Sequence, residues 1–269
     1  MSFKTPTIEE KLGEEYNGHE VFKRLEGYIG FYRLISFGVM NWINFGTSVT
    51  NIDTYMFSSI QGTFESIQMV LKKGRINDAY SLLRKLYDVV VININISIYL
   101  EENFDLENLK VKEIDKWVKG EKQLPRFEKI APYIKKSKKL KPITELLEKD
   151  ERYKTIRNRC NDYTHYNFYH TVLANDNEIH FQNRARRLNT FLYDLDNIFI
   201  FHFAYIFTLH EKYMMSSDYT DYLDISRTPP EGSQYWIPPY IQDMFDTIVK
   251  KTRPDIAEFM LENTTMDLK

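Results

Sequence analysis

From Asn77 to Ile98 the chain carries no turn signal, and its apolar positions Leu82, Leu83, Leu86, Tyr87, Val90, Ile94 and Ile98 recur mostly three and four apart. Strands usually end after about 4 to 8 residues, so this run predicts a long helix despite the β-branched stretch from Val89 to Ile98. Asn77 or Asp78 is the expected cap. Upstream, Asp53 precedes Met56, Ile60, Phe64, Ile67, Val70 and Leu71, a second helical pattern that Gly74 stops. A third long helix is predicted from about Arg186 to Tyr213, with Leu188, Leu192, Leu195, Phe199, His202, Ile206 and Leu209 on one line. Strand signals are sparse, and the expected class is all-α.

Around these helices, the stretch from Tyr28 to Phe45 reads as an amphipathic packing helix interrupted by Arg33, Ser36, Asn41 and Asn44. From Glu101 to about Asp150 the chain is polar, and Pro125, Pro132 and Pro142 are expected to cut it into short helices such as Val111 to Lys119 and Ile143 to Glu148 that connect more than they pack. The tail from Ser216 to Gln242 holds Pro229, Pro230, Pro238 and Pro239 among many aromatics. It is expected to wrap the surface before a final helix near Ile241 to Lys251. This organisation divides the chain into an N-terminal helical extension, 1–46, a helical domain, 47–213, and a C-terminal extension, 214–269, packed on the core.

With 269 residues, 43% of them hydrophobic, the chain can bury a sizeable core. Its 38 acidic and 36 basic residues nearly cancel, so any surface for nucleic acid must be local. The lone Cys160 excludes an intramolecular disulfide and fits a reducing compartment; a cytoplasmic protein is expected. The start of the chain has no apolar segment typical of export. The longest apolar runs, Val89 to Leu100 and Ile198 to Leu209, fall short of the roughly 20 residues that span a bilayer. No membrane association is expected.

One segment departs from the packing logic of the rest. Arg157 to Asn167 crowds guanidiniums, amides, a carboxylate and an imidazole into a stretch that reads as helix, running toward a turn at Asn175, Asp176 and Asn177. At helical spacing Asn158, Asp162 and His165 share one line, while Arg157, Asn161 and Thr164 share the next. A helix polar on most of its circumference is solvated, engaged with a partner, or lining a site. Arginine and histidine suit RNA cleavage by the neighbouring 2′-hydroxyl: an imidazole moves the proton and a guanidinium offsets charge on the phosphorane. Within one helix, however, Arg159 and His165 point about 120° apart and lie about 9 Å apart along the axis. Two copies across a two-fold axis would bring both residue types into one cleft.

The Arg159 to His165 spacing, the polar residues between them and the helical setting resemble the HEPN superfamily, whose signature is an arginine and a histidine separated by a short spacer. The stretch from Lys73 to Asp88 also resembles a helix of HEPN-like proteins from bacterial mobile elements and phage defence, and the likeness runs from about Thr47 to Tyr213. The resemblance implies a HEPN-like helical bundle and a metal-independent endoribonuclease. Such an enzyme works as a homodimer, leaves a 2′,3′-cyclic phosphate and a 5′-hydroxyl, and needs no cofactor. It further implies a toxin or abortive-infection effector restrained by an antitoxin or regulatory protein. The site residues it points to are His165 with Arg159 or Arg157, supported by Asn161 and Asp162. Family motifs usually carry a polar residue directly after the arginine. Arg159 is followed by Cys160, whereas Arg157 is followed by Asn158 but sits too far from His165, so which arginine is catalytic stays open. Asn167 stands where nucleotidylated members carry tyrosine, and that form of silencing is not implied.

Lys135, Lys136, Lys138, Lys139 and Lys141 form one basic cluster, and Arg184, Arg186 and Arg187 another; either could hold an RNA backbone. Among these, Lys138, Lys139 and the three arginines are the candidate RNA contacts, and an ordinary solvated face is the plain alternative for the lysines. Arg84 and Asp88 have the spacing of an internal ion pair. His202, on an apolar line, is expected to be a hydrogen-bonded core histidine, while His170 and His180 are expected on surface or loops. No His-x3-His, Glu-x2-His or clustered-cysteine spacing predicts a metal, and no Gly-Lys-Ser/Thr loop predicts a nucleotide triphosphate. A non-catalytic helical module for RNA or protein, or a protein that docks a partner through the aromatic tail, is the competing expectation.

Overall fold

The computed structural model describes residues 6–40, 49–104 and 111–269, and every regular element among them is helical. Thr7 opens α1 (Ile8–Asn17) with a reciprocal capping box: its hydroxyl accepts from the Glu10 amide, and the Glu10 carboxylate accepts from the Thr7 amide at 2.7 Å. His19 caps α2 (Glu20–Gly38), so the described part of the Tyr28-to-Phe45 pattern is helical to Gly38; 41–45 lie outside the described residues. α3 (Ile52–Lys72) and α4 (Ile76–Asn103) follow. The turn between them needs Gly74, whose φ is +70°. A Cβ there would stand 2.8 Å from Arg184 Nη1 and 2.9 Å from Asn177 Oδ1.

α2, α3, α4 and α10 (Arg184–Leu209) form the centre of the bundle. One continuous core runs from Tyr16 through Phe64, Leu83 and Phe199 to Leu268, so all three spans inferred from the sequence contribute to it. α10 begins two residues before the expected Arg186 and ends at Leu209; the chain then tightens into a 3-10 turn, Glu211–Met214. The α4 cap also differs from expectation. Asn77 and Asp78 lie inside the first turn, and the Asn175 side-chain oxygen accepts from both their amides, at 3.0 and 3.3 Å. A residue far along the chain thus satisfies the free donors of the helix start.

The polar middle packs more than its composition indicates. α5 (Lys112–Val118), α6 (Phe127–Lys136) and α7 (Lys141–Leu147) bury Ile114, Ile130, Ile134, Ile143 and Leu147. Pro132 sits inside α6 on its exposed side instead of ending it. α8 (Arg152–Thr164) and α9 (Tyr169–Leu173) carry the polar segment. The tail is more helical than a surface loop. α11 (Asp218–Asp224) and a 3-10 turn at Ser233–Tyr235 lead to α12 (Pro239–Met244). A π-turn at Phe245–Val249 continues it into α13 (Lys250–Thr252), and α14 (Pro254–Glu262) closes the chain. Ile241, Phe245, Val249 and Ile256 anchor this tail in the core. No helix of the described residues is long and apolar enough to cross a membrane.

Candidate functional site

α8 owes its position to a narrow apolar stripe that the polar composition obscures. Tyr153, Ile156, Cys160 and Tyr163 are buried, and the Tyr163 ring stacks on Tyr80 of α4 at 4.0 Å. The remaining circumference divides among neighbours at roughly 100° per residue. Arg157 turns to α6, where its guanidinium lies 3.9 Å from the Phe127 ring centre and its buried Nε finds no acceptor among the described residues. Asn161 turns to α4 and accepts from Arg84 Nε at 2.9 Å, while Arg84 also pairs with Asp88 as the spacing predicts. Arg159 turns to α10. Its Nη1 meets both carboxylate oxygens of the fully buried Asp194, at 2.5 and 2.6 Å. Tyr80 adds a hydroxyl to Asp194 at 3.4 Å. Burial pushes the Asp194 carboxyl up to about 6 against the pull of Arg159.

The helix stops earlier than the run of polar residues. His165 is the C-cap residue, Tyr166 adopts the left-handed conformation with φ +51°, and the chain reverses. Asn167 N donates to Asp162 O at 3.0 Å and Tyr166 N to Tyr163 O at 3.3 Å, the paired bonds of a Schellman motif. Asn167 Nδ2 fastens the turn to Asp162 Oδ1 at 2.8 Å. His165 is therefore beyond the helix, exposed, with no side-chain hydrogen bond among the described residues. The expected continuation toward Asn175 is replaced by the separate α9.

The reversal folds α9 back beside α8 and creates a hollow of about 410 Å³. Asn158, Arg159, Asp162, His170 and Arg187 contribute polar groups to its lining, together with the aromatic rings of Tyr163 and Phe168. Of the five residues singled out on α8, Arg159 and Asp162 reach this hollow; Arg157 and Asn161 serve neighbouring helices, and His165 stands outside. His170 is the residue that sequence reasoning assigned to the surface without a role. Its ring stacks on Phe168 at 5.6 Å and meets the Tyr163 ring edge-on, and its carbonyl accepts from Arg187 Nη1 at 3.1 Å. Only its proximity to Arg187 in a folded turn reveals it. The remaining donors of Arg159, which is 29% exposed, have no bond to another described residue.

The other candidates separate by exposure. Arg184 is buried and donates to the carbonyls of Gly74 at 2.6 Å, His180 and Asp176, and to Asn177 Oδ1. It is thus a clamp on the α3–α4 turn and has no surface to offer a phosphate. Arg186 is exposed and without an intramolecular partner among the described residues. Lys139 is held by Glu101 at 2.7 Å and the Leu209 carbonyl at 2.8 Å, whereas exposed Lys138 makes no such bond among the described residues. His202 sits in the core between the Tyr32 hydroxyl, 2.7 Å, and Asn93 Oδ1, 2.8 Å; burial pushes its imidazole down to about 3. Burial likewise pushes the Cys160 thiol up, which removes it as a thiolate nucleophile at neutral pH. Among the described residues no three His, Cys, Asp or Glu side chains gather as metal ligands. No family model, curated protein or solved structure matches this chain.

Proposed function

We propose that this chain is a metal-independent endoribonuclease of HEPN type, acting as a homodimer at the open face of α8. The observation that carries the reading is the hollow itself, where a guanidinium, an amide, a carboxylate and an imidazole meet beside two aromatic rings. In the reaction the imidazole of His165, reaching in from the second copy, takes the proton of the 2′-hydroxyl and the 2′-oxygen attacks the adjacent phosphorus. The bond to the 5′-oxygen breaks, and a protonated imidazole supplies the hydrogen of the departing 5′-hydroxyl. Arg159 and Arg187 oppose the charge that builds on the phosphorane. His165, exposed one turn beyond Asp162, serves the partner's hollow.

Support for dimerisation comes from the surface next to the hollow. Tyr166, Phe168, Tyr169 and Val172, close together along the turn and α9, are all exposed, Tyr169 by 77%, and exposed apolar residues in such a run mark contact surfaces. A nuclease of this kind acts as a toxin or phage-defence effector in the cytoplasm, held in check by an antitoxin or regulatory protein. Arg186 and Lys138 remain free to track the RNA backbone.

Purified protein incubated with RNA in excess chelator should release fragments ending in 2′,3′-cyclic phosphate, and His165→Ala should abolish them. Full activity in that variant removes His165 from the chemistry; loss in His170→Ala alone transfers the role to His170. A second reading is favoured by the commitment of Arg159 to Asp194: a helical module that binds RNA or protein without cleaving. It would retain RNA on a filter and give no cyclic-phosphate product.

A further inference from the structure

Two asparagines interrupt the apolar run of α4, and they are placed in opposite circumstances. Asn93 is fully engaged, its Nδ2 donating to Asp53 Oδ1 at 2.6 Å and its Oδ1 meeting His202 Nε2 at 2.8 Å. Asn95 is 6% exposed and its side chain makes no hydrogen bond among the described residues. Instead it faces a hollow of about 610 Å³ between α4, α5 and α6. Its amide is open to that hollow, so a molecule bound there would take the place of water as its hydrogen-bonding partner. The volume falls in the roughly 300 to 1,000 Å³ range of small-molecule sites.

The walls and mouth say what such a molecule would be. Tyr99 and Tyr133 line the hollow with ring centres 6.4 Å apart, tilted at 51°, and Ile114 and Ile130 are buried behind it. Lys122 is already paired with Glu113, but Arg126 and Lys129 are exposed at the rim and have no bond to another described side chain. Apolar and aromatic walls accept a flat ring. A primary amide offers one donor and one acceptor side by side, the pattern that matches the N6 and N7 edge of adenine. Two unpaired cations at the opening suit a phosphate.

We propose that the hollow between α4, α5 and α6 binds an adenine nucleotide, with the base edge on Asn95, the base against the wall that the two tyrosines form and the phosphate at Arg126 and Lys129. This site stands apart from the α8 face, and its occupancy does not require RNA cleavage. Calorimetric titration of the full chain with AMP, adenosine, UMP and inorganic phosphate tests it. AMP should bind saturably, with adenosine, UMP and phosphate each about tenfold weaker or more. Asn95→Leu should weaken AMP by about tenfold and erase the preference over UMP. The surface variant Arg126→Glu/Lys129→Glu should weaken AMP and leave adenosine unchanged, and it decides the matter even where Asn95→Leu fails to fold. Absence of AMP binding, phosphate binding as tightly as AMP, or an unchanged AMP affinity in the surface variant overturns the proposal.

Discussion

α8 and α10 both carry ionisable groups along their length, yet they use them in different ways. From Asp194 to Leu209 α10 is enclosed by other helices, and its ionisable groups at Asp194, Asp196 and His202 each find partners: Arg159 and Tyr80, Tyr28 with Arg24, and Tyr32 with Asn93. α8 buries a narrow stripe and sends its polar side chains outward to three neighbours, leaving one face open at the hollow. Polar density alone therefore does not locate a site. Side chains that secure α8 and side chains that face the hollow share the same turns, and Arg159 does both.

The largest expected effect tests the join between the two helices. Arg159→Met leaves the Asp194 carboxylate buried without its cation and should cost about 3 kcal/mol of unfolding free energy in urea titrations. Arg159→Met/Asp194→Leu should recover most of that loss. A single variant as stable as the parent would mean that the pair contributes little to the fold.

Titration of the α10 groups separates them by sign. Burial lowers His202 from its ordinary 6.5 to about 3, so the unfolded chain binds the proton more readily; the stability this provides is present above pH 6.5 and is lost as the pH falls toward 3. Asp194 and Asp196, pushed from 3.8 up to about 6 by burial, act in the opposite sense. Their contribution is in place below 3.8 and is lost as the pH rises through 6. Unfolding free energies measured from pH 7 to 4 should decline less steeply in His202→Gln than in the parent, by up to one bound proton. Identical slopes would place the ionisation elsewhere.

A smaller effect concerns the frame that sets the hollow against α4. Asn175→Ala removes the acceptor for the Asn77 and Asp78 amides and should cost about 1 kcal/mol. Asn158→Ala, on the open face, should stay within about 0.5 kcal/mol of the parent while reducing RNA cleavage. That pair of outcomes distinguishes a structural asparagine from one facing the hollow.

The long helices were legible because Leu83, Leu86, Val90 and their counterparts repeat with the helical period, and burial follows the same period. The end of α8 was not, because a left-handed C-terminal turn is usually announced by glycine and here Tyr166 occupies it. Nor could spacing show that Asn161 belongs to Arg84, or that Asn175 caps a helix nearly a hundred residues earlier, since both are tertiary bonds. The stripe from Tyr153 to Tyr163 was hidden by the more numerous polar residues around it. The five α8 candidates were readable as a group, but their division between helix packing and the hollow depended on the neighbours each one meets. His170 entered the site through a chain reversal that carries no motif.

Subunit mixing tests the shared site most directly. His165→Ala and Arg159→Lys, the latter keeping a cation on Asp194, should each cleave RNA poorly on their own in excess chelator. Mixed in equal amounts and allowed to exchange subunits, they form heterodimers with one intact composite site. Activity should then rise to about a quarter of the parent's. A mixture no more active than the sum of its two components would contradict a site shared across the dimer.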